Sequence, residues 1–266
     1  MLNQIKRSLI IAGYAFALSL VTFAPARAQN TLADIMSAKV IKIGIPTDFP
    51  PYGFVGPDLK PQGLDVEMGE YLASKLGVKA ELIPVTSPNR IPYLQTKRAD
   101  LIVSTLGKSP DREKVIDFTV PYALFLSAVY GPKTMTIKNF SDLAGKSVAV
   151  TRGSFEDVDV TKMAPPETDI KRFEDNNATV SAFVSGQTNL ITTGAPVAES
   201  MIQRNPQLGA EYKLTTRLSP SYVGVAKGEE ALLNKINEII TSGMKNGDME
   251  KLSQKWLKRG LGDLNG

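Results

Sequence analysis

The stretch STLGKSPDREKVIDF, residues 104–118, places three hydrogen-bond donors close together in the chain. The apolar segment 101–106 has the composition of a buried strand, and it contributes Ser104 and Thr105. A glycine and a proline turn follow, and then Arg112. Two hydroxyls and a guanidinium that converge at the end of a strand suit a small anion, most simply a carboxylate, because a guanidinium binds a carboxylate through two parallel hydrogen bonds.

The residues that the chain lacks narrow the possible chemistry. There is no histidine and no cysteine. A serine nucleophile would therefore have no imidazole base, and the residues that bind zinc best are absent. Neither a disulfide nor a lipidated cysteine can form. We predict no catalytic residue, no metal ligand and no cofactor.

The first 28 residues have the features of a secretory signal peptide. Lys6 and Arg7 precede an apolar run over residues 9–24, and Ala26-Arg27-Ala28 is a small-x-small cleavage site. We expect residues 1–28 to be cleaved and the mature protein to be periplasmic. The alternative is an uncleaved membrane anchor, for which the apolar run is short.

Removal of this segment makes the protein nearly neutral. It carries three basic residues and no acidic one, so the mature chain has 31 − 3 = 28 basic against 27 acidic residues. No basic tract marks a nucleic-acid surface. The mature chain is long enough for one large or two modest domains.

Strands alternate with helices along the chain. The segment 40–45 has the composition of a buried strand, and in the helical pattern that follows Leu64, Met68, Leu72 and Leu76 recur every four residues. This alternation predicts an α/β fold with mixed, mostly parallel sheets flanked by helices.

In such sheets, ligands bind where the carboxyl ends of strands meet helix N termini. This rule selects four segments, which are 46–54, 104–112, 151–157 and 192–197. The first two belong to one cycle of alternation and the last two to another. A site that both cycles contribute to would lie between two domains, where small-molecule clefts are common.

An ordered set of motifs covers nearly all of the mature chain. The set comprises IGIPTDFPPYGF, GLDVEMGEYLASKLGV, IPYLQTKRADLIVSTLGKSPDREKVIDFT, DLAGKSVAVTRGSF and NGDMEKLSQKW. In content and order it resembles the periplasmic solute-binding proteins of the polar amino-acid type, which are the receptors of ABC importers (family 3 extracellular solute-binding proteins).

The resemblance implies a two-lobed clamshell of the periplasmic binding protein type II. Lobe 1 would comprise residues 29–122 and 221–266, and lobe 2 residues 124–219. Two hinge crossings, near Ala123 and Pro220, would join them. The resemblance also implies a monomer that binds a small-molecule ligand between its lobes and docks on a permease in the inner membrane.

The resemblance implies the binding site as well. Arg112 would grip a ligand carboxylate together with the end of the strand before it and the N terminus of a helix in lobe 2, and an aromatic ring would cover the ligand. The implied ligand-binding residues are Phe49, Ser87, Ser104, Thr105, Leu106, Gly107, Arg112, Arg152, Gly153, Ser154, Phe155 and Gly194.

Several of these residues have an ordinary structural alternative. Arg112 lies in a charged run and could pair with Asp111 or Glu113. Phe49 could be a core residue between prolines. Ser154 could cap the helix that follows it, which is compatible with ligand binding.

Two positions depart from the family's pattern. An aspartate that pairs with the ligand's ammonium is replaced by Gly194, and a bulky apolar residue is replaced by Ser87. We expect both changes to leave space for a ligand larger than a single amino acid. Because the carboxylate is missing and Arg90, Arg112 and Arg152 make the expected cleft positive, we also expect an acidic amino acid, an amino-acid conjugate or a related organic acid to bind better than a basic amino acid. Alternatively another carboxylate, from Glu156, Asp157 or Asp48, replaces the missing one.

Two other functions stay open. The first is a dehydratase-like periplasmic enzyme on the same fold, which would need a cleft carboxylate of raised pKa. Its nearest candidates are Glu156 and Asp157, and we expect a helix N terminus to lower their pKa. The second is a solute sensor, which is less favoured because we expect no membrane segment or output domain before the chain ends at Gly266.

Overall fold

The computed structural model describes residues 31–264. The predicted signal peptide, residues 1–28, lies outside the described residues. No helix between residues 31 and 264 has both the length and the apolar character that a bilayer crossing requires.

Helices and strands alternate through the first part of the chain, as the sequence predicts. These elements are α1 (Thr31–Ala38), β1 (Val40–Pro46), β2 (Asp48–Phe49), β3 (Gly53–Val55), β4 (Pro61–Gln62), α2 (Leu64–Leu76), β5 (Lys79–Val85), α3 (Arg90–Gln95), β6 (Leu101–Leu106), α4 (Pro110–Glu113) and β7 (Ile116–Pro132).

A second cycle follows, and the chain then returns through another long strand to two helices. These elements are β8 (Ser147–Thr151), α5 (Phe155–Met163), β9 (Asp169–Phe173), α6 (Asn176–Val184), β10 (Leu190–Gly194), α7 (Ala195–Arg204), β11 (Ala210–Ala226), α8 (Glu230–Lys245) and α9 (Asp248–Leu257). Short 3₁₀ helices lie at Ser87–Asn89, Phe140–Leu143 and Pro206–Leu208.

Eight strands form one sheet in the order β5-β1-β6-β11-β7-β10-β8-β9. In what we call the first half, β1 is parallel to both β5 and β6; in the second half, β8 is parallel to both β9 and β10. The central pair, β7 and β11, is antiparallel and joins the halves. The predicted α/β class with a mixed, mostly parallel sheet and flanking helices is confirmed.

The long strands β7 and β11 pass from one half to the other. At their middle, Leu124 lies opposite Pro220 and Ala123 opposite Ser221, and the register shifts between Ser221 and Tyr222. The two predicted crossings therefore lie side by side. The division into lobes at these residues stays a prediction.

Each half has its own apolar core. In the first half, the predicted stripe of α2 is buried, and Met68 and Leu72 are fully covered in the cluster that contains Ile43 of β1. Helix α2 ends at Gly77, whose φ of 70° is left-handed and whose N–H reaches the carbonyls of Ala73 and Ser74. In the second half, β8 and β10 supply buried residues to two smaller clusters. Two packed halves leave their strand ends facing one another across the central pair.

Candidate functional site

The end of β6 is held by a buried carboxylate beneath it. Thr105 has a φ of +45°, which is left-handed and unfavourable for a residue with a branched side chain. Its hydroxyl donates to Asp65 Oδ2 at 2.6 Å, and the hydroxyl of Tyr122 donates to Asp65 Oδ1 at 2.6 Å. Burial raises the pKa of Asp65 to about 6, although these two hydrogen bonds lower it. The Thr105 hydroxyl proton thus goes to Asp65, and what remains for a ligand is its oxygen.

Arg112 reaches from the first half to the second. Its Nη1 donates to the Gly107 carbonyl at 2.9 Å, and its Nη2 donates to the Gly153 carbonyl at 3.0 Å. The alternative of a local ion pair is not what the structure shows, because Asp111 pairs with Lys114 and Glu113 with Lys108.

The N terminus of α5, in the second half, lies next to Arg112. The Ser154 hydroxyl accepts from the Asp157 N–H at 3.1 Å, so the predicted helix cap is present. The ring of Phe155 lies 4.2 Å from the Arg112 guanidinium and 4.4 Å from that of Arg217. A Cβ on Gly107 would stand 1.9 Å from this ring, so the close approach requires glycine there.

Two of the cavities between the halves lie at the predicted strand ends. The first is lined by Pro46, Asp48, Phe49, Val85, Ser87, Arg90, Ser104, Thr105, Phe125, Glu156 and Asn176. The second is lined by Arg90, Thr105, Gly107, Arg112, Phe125, Phe155, Ser219, Pro220 and Ser221. They share Arg90, Thr105 and Phe125 as walls, so a single elongated ligand could enter both.

Arg90 is the basic side chain common to both cavities. It is 7% exposed, and it donates to the carbonyls of Ser104 at 2.8 Å and Ser87 at 3.3 Å. Burial lowers the pKa of Arg90. Burial, and then the positive charge of Arg90, lower the pKa of Arg112 to about 9. Both guanidiniums remain cationic at neutral pH and would be stabilised by a bound anion.

The two guanidiniums have no acidic partner of their own. Within residues 31–264, each donates only to carbonyl oxygens and forms no ion pair. In the second cavity, the buried hydroxyls of Ser219 and Ser221 also lack a hydrogen-bond partner in the described part of the chain. A ligand carboxylate would satisfy these donors at once.

Glu156 faces the first cavity from the second half. It is buried, and burial raises its pKa even though the N–H groups at the start of α5 and Ser154 lower it. The expectation that a helix N terminus lowers the pKa of this residue is therefore wrong for Glu156, because desolvation outweighs the helix. Asp157 pairs with Arg172 and lines neither cavity.

A polar contact and an aromatic cluster close the first cavity. Both oxygens of Asp48 accept from Asn176 of the second half, at 2.7 Å from the backbone N–H and 3.0 Å from the side chain. Phe49, Tyr52 and Phe125 form a cluster with ring centroids 5.5–6.2 Å apart. Phe49 is thus both a core residue and a wall of the cavity.

The structure brings most of the predicted site residues together. Phe49, Ser87 and Ser104 line the first cavity, Gly107, Arg112 and Phe155 line the second, and Thr105 lines both. The Gly153 carbonyl and the Ser154 cap lie beside the second cavity without lining it. Their roles as ligand contacts stay predictions.

Three predicted residues are placed elsewhere. Leu106 is 1% exposed and packs in the apolar core beside Ile102. Arg152, whose side chain is 50% exposed, pairs with Glu174 and lines neither cavity. Gly194 is the last residue of β10 and the N-cap of α7, and it lies behind Phe125 and Phe49.

The expectation that Gly194 leaves space for a larger ligand is wrong. A Cβ at this position would meet Phe125 Cε2 at 2.7 Å and Phe49 Cζ at 3.3 Å, so the two rings already fill the room that a side chain would use. Ser87, in contrast, faces the first cavity.

Sequence reasoning left four polar residues of the first cavity out of the predicted set, which are Asp48, Arg90, Glu156 and Asn176. Asp48 and Glu156 lie within two of the four strand-end segments. Arg90 follows the end of β5, a strand end to which the same rule could have been applied. Asn176 follows the end of β9 and begins α6, so the same rule could have been applied to it as well.

Comparisons with known proteins agree with this architecture. The L-cystine-binding protein TcyJ of Escherichia coli (strain K12) is 28% identical over 231 residues, which are 86% of each chain. The solute receptor for L-cysteine of Neisseria gonorrhoeae superposes with a TM-score of 0.80 at 29% identity, over 87% of this chain and 95% of that one.

A third similar protein is the ancestral amino acid-binding protein AncCDT-1, described as a precursor of cyclohexadienyl dehydratase. Its TM-score is 0.78 at 30% identity, and the match covers 85% of this chain and 99% of that chain. The model of the bacterial extracellular solute-binding proteins, family 3, matches residues 41–259. Together with the fold and the cavities between its halves, this match shows that the chain belongs to family 3 of the bacterial extracellular solute-binding proteins.

Proposed function

We propose that this protein captures a polar amino acid or a related carboxylate-bearing solute between its halves and delivers it to an ABC importer. The observation that carries the proposal is the pair of guanidiniums, buried Arg90 and half-buried Arg112, that line the cavities without an ion-pair partner between residues 31 and 264. A buried charge without a counter-charge is unfavourable, so the site favours a ligand that brings carboxylates with it.

The charges around the cavities favour an acidic ligand over a basic one. Arg90 and Arg112 contribute two positive charges, and the second cavity has no acidic residue in its lining. The first cavity has Asp48, whose oxygens already accept from Asn176, and Glu156, which is left as an acceptor for a single ammonium group. A lysine, arginine or histidine ligand would bring a second positive charge next to Arg90. Acidic amino acids, their conjugates and related organic acids are therefore the expected ligands, with one carboxylate on Arg112.

The remaining parts of the proposal concern export, assembly and delivery. An exported monomer cleaved after Ala28 would take up its ligand in the periplasm and present both lobes to a permease. The lobes would rotate about the adjacent crossings near Ala123 and Pro220, a movement that the irregular register of β7 and β11 at this point supports.

The test is a calorimetric panel on the purified wild-type protein with basic, neutral and acidic amino acids and their conjugates. Mass spectrometry of any molecule released on denaturation would identify a ligand that co-purifies. We expect acidic ligands to bind more tightly than their amides and basic amino acids to bind weakly. Micromolar binding of a basic amino acid, with none of an acidic one, contradicts the proposal.

One observation favours an enzyme as a second candidate. Glu156 is a buried cavity carboxylate whose pKa is raised, which is the condition that acid–base catalysis requires. The receptor is preferred because TcyJ and the cysteine receptor are named for binding amino acids. The two functions can be distinguished by incubating the protein with a bound solute and recording the nuclear magnetic resonance spectrum of the recovered solute. A receptor returns the solute unchanged, whereas an enzyme converts it.

A further inference from the structure

The two cavities differ in charge although they share a wall. The second cavity is lined by Arg90 and Arg112 and by no acidic residue, and its two serine hydroxyls lack partners in the described range. The first cavity is also lined by Arg90, but it has Glu156 and Asp48 on its other walls. A ligand that spans both would therefore meet donors at one end and acceptors at the other.

Of the two acidic residues, Asp48 is already satisfied. Both of its oxygens accept from Asn176, and this contact joins the halves. Glu156 makes no ion pair between residues 31 and 264, although the charge of Arg90 acts on it. It is 6% exposed, so its carboxylate lies away from bulk water, and no cation of the described residues lies within ion-pair distance of it.

Glu156 lies on the wall of the first cavity where it can supply the carboxylate that Gly194 does not. Gly194 has no side chain, and Phe125 and Phe49 fill the space in front of it. Glu156 is in the same half of the molecule as Gly194, and it faces the first cavity beyond Phe125, a shared wall of the two cavities. An acceptor is thus present from the second half, at the start of α5 instead of the end of β10.

We propose that Glu156 is the residue that binds the ammonium group of the ligand, and that the ligand is an α-amino acid whose carboxylate lies on Arg112. This inference rests on the proposed function and sharpens it. With one acidic acceptor and two guanidiniums, the site matches a solute with one ammonium and two carboxylates, which is an acidic amino acid.

Burial supports this role. Burial raises the pKa of Glu156, because its carboxylate is removed from water. An ammonium group that enters the cavity would form a strong charged hydrogen bond with this carboxylate. In the absence of such a group, the carboxylate is destabilising, so its neutral isostere should fold at least as well. Glu156→Gln is therefore a usable variant.

The experiment compares two ligands on three proteins. The ligands are L-glutamate and glutarate, which have the same two carboxylates and differ in the ammonium group. The proteins are the wild type, Glu156→Gln and the control Glu174→Gln, which makes the same substitution in the same half at a side chain that is 72% exposed and pairs with Arg152. Calorimetry gives the ratio of the two affinities for each protein.

We expect the wild type and Glu174→Gln to bind L-glutamate about 10- to 100-fold more tightly than glutarate, as one charged hydrogen-bonding partner supplies. In Glu156→Gln the ratio should fall to within about threefold, through weaker binding of L-glutamate, while glutarate binding stays the same or improves. Glu156→Asp, with a shorter carboxylate, should restore part of the ratio.

An unchanged ratio in Glu156→Gln, or an equal loss for both ligands, would overturn the inference, because either result assigns Glu156 a purely structural role. A wild type that binds glutarate as tightly as L-glutamate would overturn it too and would leave the carboxylate site intact. If the wild type binds neither compound nor any other amino acid of the panel, the proposed function itself fails, and the inference fails with it.

Discussion

The arginines around the cavities fall into two groups. Arg152, Arg172 and Arg217 each pair with a carboxylate, from Glu174, Asp157 and Asp159 respectively. Arg90 and Arg112 bond only to backbone carbonyls in the described chain, although they are the more buried of the five.

The protein itself neutralises the charges of Arg152, Arg172 and Arg217, whereas the charges of Arg90 and Arg112 are available to a ligand. A carbonyl oxygen orients a guanidinium but carries no net charge, so it fixes Arg90 and Arg112 without competing fully with a carboxylate. The paired arginines have their counter-charge built in. Sequence position does not reveal the distinction, since Arg112 and Arg152 both lie at strand ends.

The two groups of arginines should differ most when one member of each is removed. Arg112→Ala should weaken binding of the tightest-binding amino acid of the panel by about 2–5 kcal/mol, because the ligand carboxylate is left buried without its partner. Arg152→Ala, which removes an arginine paired with an exposed glutamate, should change binding by less than about 1 kcal/mol. Calorimetry on both variants measures the two losses.

Equal effects of the two substitutions would mean that the two groups are not different in function. A loss below about tenfold for Arg112→Ala, which corresponds to about 1.4 kcal/mol, contradicts its assignment as the carboxylate anchor.

A second prediction concerns Asp65, the buried carboxylate beneath the cavity wall. Its pKa is about 6 in the folded protein against 3.8 ordinarily, so the folded state holds the proton more tightly and the contribution to stability is lost as pH rises from about 4 through 6. Relative to Asp65→Asn, the wild type should lose about 2–3 kcal/mol of unfolding free energy between pH 4 and pH 7.

Urea unfolding of both proteins at four pH values measures this difference. Curves that run parallel across the range would show that Asp65 titrates normally, and a gain with rising pH would show that its hydrogen bonds from Thr105 and Tyr122 outweigh burial.

The smallest effect should come from turning a paired arginine into an unpaired one. Asp159→Asn removes the carboxylate that holds Arg217, at a site where Asp159 is buried and the Arg217 side chain is 32% exposed. We expect a loss of about 1–2 kcal/mol of unfolding free energy, since partial exposure moderates the cost of an uncompensated charge. The control Asp111→Asn, at an exposed pair with Lys114, should stay within about 0.5 kcal/mol.

Urea denaturation at neutral pH compares the two variants. A loss in Asp159→Asn no larger than that of the control would show that the pairing of Arg217 contributes nothing to the fold, and the two groups of arginines would then differ in geometry alone.

The alternation of strands and helices could be predicted from the sequence, and so could three of the segments that line the cavities, 46–54, 104–112 and 151–157, whereas the fourth predicted segment, 192–197, lines neither cavity. The stripe of α2 and the glycine after it are local signals, because helical spacing and a left-handed end residue are properties of neighbouring residues. The rule that ligands bind at strand ends located Thr105, Arg112 and Phe155, since it depends only on the order of strands and helices.

The tertiary structure alone decided what depends on residues far apart in the chain. The strands β7 and β11 are 17 residues long each and run through Pro121 and Pro220. A proline normally interrupts a strand, and here the pairing between the two strands continues past both prolines.

The packing, ion pairing and pKa values at the site also depend on residues far apart in the chain. The space at Gly194 is taken by rings from elsewhere, Arg152 finds Glu174, and burial by both halves raises the pKa of Glu156 against the effect of its own helix. Desolvation and packing depend on all the atoms around a group, and those atoms belong to residues that are distant in the sequence.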